Sequence, residues 1–162
     1  GKSTVAAALL AQAGAVRLRS DVERKRLHGL APLADSAAGG ADIYTPEASQ
    51  RTFEHLAEQA RAVLQAGYPV IVDAAFLRHS ERVRMHAVAQ ALGVPFTVLH
   101  CRAGEQQLQA RVQSRLVAGG DPSEAGLAVL EAQQRTAEPL TAQEQALTLT
   151  VNTDAPWSAA DI

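Results

Sequence analysis

Two short apolar runs, the first of them unbroken up to its closing carboxylate, constrain the fold of this chain more than any other feature. Residues 69–73 read Pro-Val-Ile-Val-Asp and residues 96–101 read Phe-Thr-Val-Leu-His-Cys. Runs this short and rich in β-branched residues are strands, and unbroken apolarity is the mark of strands covered on both faces inside a parallel sheet. Two further segments alternate instead. Val16 and Leu18 are interleaved with Arg17 and Arg19, and Leu147, Leu149 and Val151 are interleaved with threonines. Alternation gives one dry and one wet face, so these strands belong at the edges and the unbroken ones in the interior.

The segments between them carry a helical period. Val5, Ala8, Leu9 and Gln12 predict a helix that starts on the first residues and stops at Gly14. A brief helix follows from Ser20-Asp21 to about His28. Residues 29–44 are rich in Ala, Gly and Pro without a period and read as a loop. Thr45 as N-cap and Pro46 at the first helical position open a longer helix, with Phe53, Leu56, Ala60, Val63 and Leu64 inward, ended by Gly67. A helix at 80–92 puts Val83, Ala87, Val88 and Leu92 inward, with Gly93 beyond it. Another at 104–117 carries Leu108, Val112 and Leu116. Asp121-Pro122-Ser123-Glu124 reads as cap, first-position proline and N3 acid of a helix running to about 137. Strands alternating with helices predict an α/β domain of parallel strands joined by right-handed crossovers.

Composition sets the class. A chain of 162 residues buries enough surface to need neither disulfides nor a structural metal, and with one Cys it cannot be a disulfide scaffold. Of its apolar residues 33 are alanines, so the helices are expected to pack closely through small side chains. A net charge of −2 argues against general gripping of nucleic acid. No apolar stretch is long enough for a membrane span and no signal-peptide pattern opens the chain, which makes the cytoplasm the expected location. The sequence starts without Met and stops at 156–162 in what reads as an unfinished capped helix. Residues 1–162 are therefore expected to be one domain truncated at both ends.

Gly1-Lys2-Ser3-Thr4 is the second half of the pattern G-x-x-x-x-G-K-[ST], a loop whose backbone amides cradle phosphates. Glycine allows close backbone approach, lysine brings a mobile positive charge, and the serine hydroxyl is a hard ligand for Mg²⁺. The helix that begins there adds its free amides and dipole. Lys2 is also one of two lysines against 13 arginines, so an ammonium is kept where guanidinium is otherwise preferred.

Asp73 ends an interior strand, in the crevice where α/β sheets bind ligands, and is suited to hold a metal-bound water or to close a turn. Asp21, after the first visible strand, is placed to orient or deprotonate an acceptor hydroxyl or to cap a helix. Arg24, one turn later, would meet an anionic group on the acceptor or simply face water. Arg111 and Arg115, four apart, can converge on a transferring phosphoryl group or form a solvated face. Gly119-Gly120-Asp121-Pro122 would hinge a lid. Asn152-Thr153-Asp154 either meets a nucleotide base or is an ordinary turn. Cys101 reads as a reduced structural thiol, and His55 and His86 as solvated.

These residues resemble the small P-loop kinases of the AAA_33 type, a group that includes relatives of 5′-polynucleotide kinases, gluconate kinases and zeta toxins. The resemblance is carried by Gly1-Lys2-Ser3-Thr4, by Arg19-Ser20-Asp21-Val22-Glu23-Arg24-Lys25, by Val70-Ile71-Val72-Asp73-Ala74, by residues 108–115 as a lid helix and by residues 121–125 after it. The chain is also similar to the C-terminal ATP-binding half of fused aminoglycoside phosphotransferase/ATP-binding proteins, which implies a fused upstream domain. The resemblance implies a three-layer P-loop NTPase fold with sheet order 2-3-1-4-5, whose central strand 1 is absent from this sequence, and a lid at about 111–124. It implies ATP and Mg²⁺ as cofactors. Gly1, Lys2, Ser3, Thr4 and Asn152 would then meet the nucleotide, Ser3 and Asp73 the metal, and Asp21 and Arg24 the acceptor, with Lys2, Asp21, Arg111 and Arg115 acting in catalysis. The implied reaction is transfer of the γ-phosphoryl group to a small-molecule hydroxyl. Two alternatives stay open: an ATPase module serving a fused partner, and a polynucleotide 5′-hydroxyl kinase. Against the latter stand Ala74-Ala75, where those enzymes have polar residues, and an aromatic content of 4% that leaves no stacking platform for single strands in view.

Overall fold

A computed structural model describes residues 1–36, 42–118, 121–124, 126–158 and 162, without the side chains of Arg115, Leu116 and Ala118. Helix α1 (Lys2–Ala13) begins directly on Gly1, whose carbonyl accepts from the N–H of Thr4 and Val5, and ends on Gly14 at φ 57°. Strand β1 (Val16–Arg19) runs straight into α2 (Ser20–Leu27). Thr45 Oγ1 accepts from the N–H of Ala48 and so caps α3 (Pro46–Gln65), as its sequence predicts. Then come β2 (Val70–Asp73), α4 (His79–Leu92), β3 (Val98–Arg102), α5 (Glu105–Ala118), α6 (Leu127–Thr136), α7 (Ala142–Ala146) and β4 (Thr148–Asn152). Among the described residues no helix is long and apolar enough to cross a membrane.

The strands form two parallel pairs. β1 lies on β2 with Val16 opposite Val70 and Arg19 opposite Asp73; β3 lies on β4 with Val98 opposite Thr148 and Arg102 opposite Asn152. The ladder stops at β2 and at β3, each of which is hydrogen-bonded to one neighbour among the described residues. The two pairs are those that the order 2-3-1-4-5 places on either side of its middle position. With one side unpaired, the apolar runs are less covered than their composition suggests: Val70, Ile71, Val72, Val98 and Leu99 are half-buried.

The main core fills the space between β1–β2 and the helices α3 and α4. Leu18, Phe53, Leu56, Ala57, Ala60, Ala74, Met85 and Val88 form one buried cluster, with the Phe76 ring 5.4 Å from that of Phe53. Small residues on α3 let α4 approach closely, as the alanine content implies.

Four local expectations are corrected. On α4 the inward ridge is Arg82, Met85, Val88 and Ala89, while Val83 and Ala87 are exposed. The helix is rotated because Arg82 is drawn inside by Glu144, to which its Nε donates at 2.7 Å. The helix foreseen from residue 121 starts only at Leu127. Asp121 accepts from the N–H of Ser123 and from Arg19, and Glu124 is taken by Lys25 and Ser36, so neither acid serves a helix start. His55 and His86 are half-buried: His55 lies 3.2 Å from Glu23, and His86 stacks on Phe96 at 4.9 Å. Residues 156–158 are not helical, and the rest of the foreseen terminal helix, 159–161, lies outside the described residues, as do 37–41 of the loop. Helix α7 was not foreseen, although Thr141 and Glu144 form a capping box legible in the sequence.

Candidate active site

The first turn of α1, Arg111 of α5, Asp121 and the segment that follows β4 meet at one cleft, and Ser3 on its wall reaches the end of β2. Its volume is about 400 Å³, and Gly1, Lys2, Ser3, Thr4, Arg111, Asp121 and Thr153 are among its walls. The parallel register explains the meeting: strand C-termini share one end of the sheet, and α1 begins there.

Ser3 Oγ donates to Asp73 Oδ2 at 3.1 Å, joining residues 70 apart in the sequence. Asp73 is buried, and Arg17 donates from its Nη2 to the same carboxylate oxygen, with Arg19 Nε 3.8 Å away. Arg17 and Arg19 stand two apart on one face of β1, so both reach the end of the adjacent strand. Arg19 also donates to Asp121 Oδ1 at 3.2 Å and thereby ties β2 to the segment after α5. A serine hydroxyl beside a carboxylate is the hard-oxygen pair that Mg²⁺ takes, and the donor set fits that ion.

Gly1 permits an approach no other residue would. A Cβ there would fall 2.8 Å from Thr153 Oγ1 and 3.0 Å from its Cγ2. Thr153 cannot easily yield, because it is buried, its hydroxyl donates to the Arg102 carbonyl at 2.9 Å, and its N–H donates to the same oxygen at 2.8 Å. Arg111 is fixed against this residue too: Nη1 donates to Thr153 Oγ1 at 2.8 Å and Nη2 to the Thr153 carbonyl at 2.6 Å. The guanidinium thus sits on the cleft wall rather than in water. Arg115 lies on α5, but its side chain is outside the described residues, as are Gly119 and Gly120 of the foreseen hinge.

Other foreseen residues are not among the walls of this cleft. Asn152 turns to its own loop, its Oδ1 accepting from the Asp154 N–H at 3.1 Å. Asp21 is the second residue of α2, whose N-cap is Arg19, so it is not the cap; it is half-buried and makes no hydrogen bond or ion pair among the described residues. Arg24 is buried rather than solvated. Its Nη1 donates to the Ile43 carbonyl at 3.1 Å and to Ser49 Oγ at 3.2 Å, and burial lowers its pKa from the ordinary arginine value. Burial likewise pushes the Cys101 thiol up, with Asp73 adding to the rise and Lys2 opposing it.

Arg17 and Arg19 are the residues that sequence reasoning did not single out for this site. The two arginines carried a signal, their i, i+2 spacing on a strand that pairs with the one ending in Asp73. Asp121 was foreseen in a lid hinge and Thr153 in a loop that meets a nucleotide base or simply turns; their contacts with Arg19 and Arg111 were not foreseen.

A family model described as AAA domain, AAA_33, matches residues 1–140 of the chain. The structure is similar to that of a gluconokinase from Sinorhizobium meliloti 1021, with a TM-score of 0.65 and 20% identity over 100% of this chain and 80% of that one. It is similar also to a protein from Chloroflexus aurantiacus j-10-fl described as a putative kinase, with a TM-score of 0.66 and 21% identity over 93% of this chain and 78% of that one. No curated protein matches it. Likenesses at this identity establish the architecture, an α/β P-loop NTPase fold.

Proposed function

The chain belongs to the AAA_33 family of AAA domains, and from that premise we propose that it is an ATP-dependent phosphotransferase that moves the γ-phosphoryl group to a hydroxyl of a small molecule. The observation that carries this reading is the 3.1 Å contact between Ser3 and Asp73 on the cleft that Lys2 and Arg111 line. It unites a helix-opening phosphate motif with a strand-end acid, the two halves of a nucleotide site.

In this reading the amides and ammonium of Gly1, Lys2 and Thr4 hold the phosphates at the start of α1, where the helix dipole favours anions. Ser3 and Asp73 would hold Mg²⁺, which when bound offsets phosphate charge. Arg111, kept on the wall by Thr153, faces the transferring group, and Arg115, four residues on, is the second cation of the lid at 111–124. Asp21, which makes no hydrogen bond or ion pair among the described residues, accepts the acceptor's hydroxyl proton as the new O–Pγ bond forms and the bond from Pγ to the ADP oxygen breaks. Arg24 belongs to the acceptor side, and Asn152 to the base side, of the same reaction.

Transfer of labelled phosphate from [γ-³²P]ATP with Mg²⁺ tests the proposal. Lys2→Ala should abolish transfer, and Asp21→Asn should slow it at least a hundredfold while the Kd for ATP moves less than twofold. Unchanged turnover in Asp21→Asn refutes its role. A second reading, an ATPase module serving a fused partner, is favoured by the apolar Ala74-Ala75 step after Asp73; it predicts ATP hydrolysis that no added hydroxyl compound diverts.

A further inference from the structure

The face of α2 that presents Asp21 is covered one turn later by Tyr44. Arg24 follows Asp21 at i+3 on that face, and its guanidinium carbon stands 5.1 Å from the centre of the Tyr44 ring. Arg24 is only 7% exposed, and its Nη1 is engaged by the Ile43 carbonyl and Ser49, so it acts as a fixed bolt behind the ring. The Tyr44 N–H donates to Asp42 Oδ1 at 2.9 Å, and the next residue, Thr45, caps α3. The ring is held by its backbone on both sides and by a cation, yet Tyr44 remains 46% exposed. A rigid aromatic kept partly in water beside a carboxylate with no hydrogen-bond partner among the described residues is a preorganised binding surface, because little ordering entropy is lost when a ligand settles on it.

Charge narrows the ligand. The guanidinium that would greet an anion on this face is turned inward, and the field felt by Arg24 and Tyr44 comes from Asp21, Glu81 and Glu124. Glu81 is engaged by the Arg78 N–H and Glu124 by Lys25, and of these three carboxylates Asp21 is the one that makes no hydrogen bond or ion pair among the described residues. Burial, with Asp21 and Glu124, pushes the Tyr44 phenol up to about 12, so it is a neutral hydroxyl near pH 7.

Resting on the phosphotransferase reading, we propose that Tyr44 is the specificity-determining wall of the acceptor site, and that the acceptor is a ring-shaped polyol, neutral or cationic, with its C–H face on Tyr44 and its reacting hydroxyl at Asp21. An acceptor with a carboxylate or phosphate on its ring meets the Asp21 charge, while the Arg24 guanidinium one turn away is buried and engaged by the Ile43 carbonyl and Ser49.

The test compares three acceptors that share one ring: D-glucose, D-glucosamine and D-glucuronate, each with [γ-³²P]ATP and Mg²⁺. Glucose and glucosamine should be phosphorylated with kcat/KM at least tenfold above glucuronate. Tyr44→Ala should raise KM for the better acceptor about tenfold while KM for ATP moves less than twofold, and Tyr44→Phe, which keeps the ring, should restore it. Glucuronate used as well as the others, an unmoved acceptor KM in Tyr44→Ala, or ATP turnover with no transfer to any of the three overturns the inference and leaves nucleotide chemistry standing. No ATP turnover at all removes the phosphotransferase reading and this inference with it.

Discussion

Replacing Glu144 with Gln removes one charge from a buried cluster that sits behind the loop following Asp73. Arg82 is 5% exposed and donates from Nε to Glu144 Oε1 at 2.7 Å, from Nη2 to Oε2 at 3.3 Å and to the Pro139 carbonyl at 3.2 Å, and from Nη1 to the Phe76 carbonyl at 3.0 Å. Glu144 accepts in addition from the Thr141 N–H at 2.8 Å and lies 3.1 Å from His79 Nδ1. The Arg82 hydrogen bonds, chief among these, hold its carboxyl at about 2 instead of 4.5. That displacement corresponds to roughly 3 kcal/mol in favour of the ionised form in the fold, which agrees with the about 3–5 kcal/mol seen when one partner of a buried pair is removed. Glu144→Gln should therefore lower unfolding stability by about 2–4 kcal/mol at pH 7, a fall in Tm of roughly 4–16 °C for a domain of this size. The sign with pH follows from the depressed carboxyl. Its contribution is fully present above pH 4.5 and is lost as pH falls toward 2, so wild type and variant should converge over that range. Urea unfolding followed by circular dichroism at pH 7, 5, 4 and 3 measures this directly. A difference below about 1 kcal/mol at pH 7, or one that does not shrink on acidification, would refute the argument. A consequence for the site follows as well: Phe76 holds φ 47°, a left-handed conformation rare for a bulky residue, three positions after Asp73. Loosening Arg82 frees its carbonyl, and ATP affinity should weaken.

Two further outcomes follow from single contacts. Lys25 is 1% exposed and pairs with Glu124, which is 28% exposed, so Glu124→Ala should cost about 3 kcal/mol by leaving a buried ammonium without a counter-charge and with only the Ala34 carbonyl, at 2.7 Å, among its described partners, whereas Lys25→Met should cost under about 1 kcal/mol because Glu124 can be solvated; equal losses in chemical denaturation would contradict this. Thr153→Val keeps the shape but removes the acceptor for Arg111 Nη1 and the donor to the Arg102 carbonyl, and kcat for phosphoryl transfer should fall at least tenfold with the far-ultraviolet spectrum unchanged.

Much of the scaffold was legible because its signals are local. Gly14 and Gly93 end helices in the left-handed conformation that glycine tolerates, and Thr45 with Pro46 opens α3. What misled was chemistry whose partner lies far along the chain. The period of α4 is ambiguous between Arg82 and Val83, and only Glu144, 62 residues later, makes the arginine the inward residue. Residues 121–124 have the composition of a helix start, but a cap contributes about 1 kcal/mol and gives way when Arg19 and Lys25 offer the same acids ionic partners. Arg24 looked like a surface cation because nothing nearby shows that Ile43 and Ser49 will close over it.

By itself the amino-acid order determined the alternation of strands and helices, the parallel sense of the strands, and the pairing of a phosphate motif with a strand-end acid, since each follows from short-range sterics and from which faces must leave water. Tertiary structure alone decided which charges meet. It set Arg17 and Arg19 against Asp73, put Thr153 where Gly1 must lack a side chain, and turned Arg24 from an exposed cation into the support of Tyr44. Those outcomes depend on through-space distances between elements, and a Coulombic or hydrogen-bonded contact leaves no periodicity in the chain that bears it.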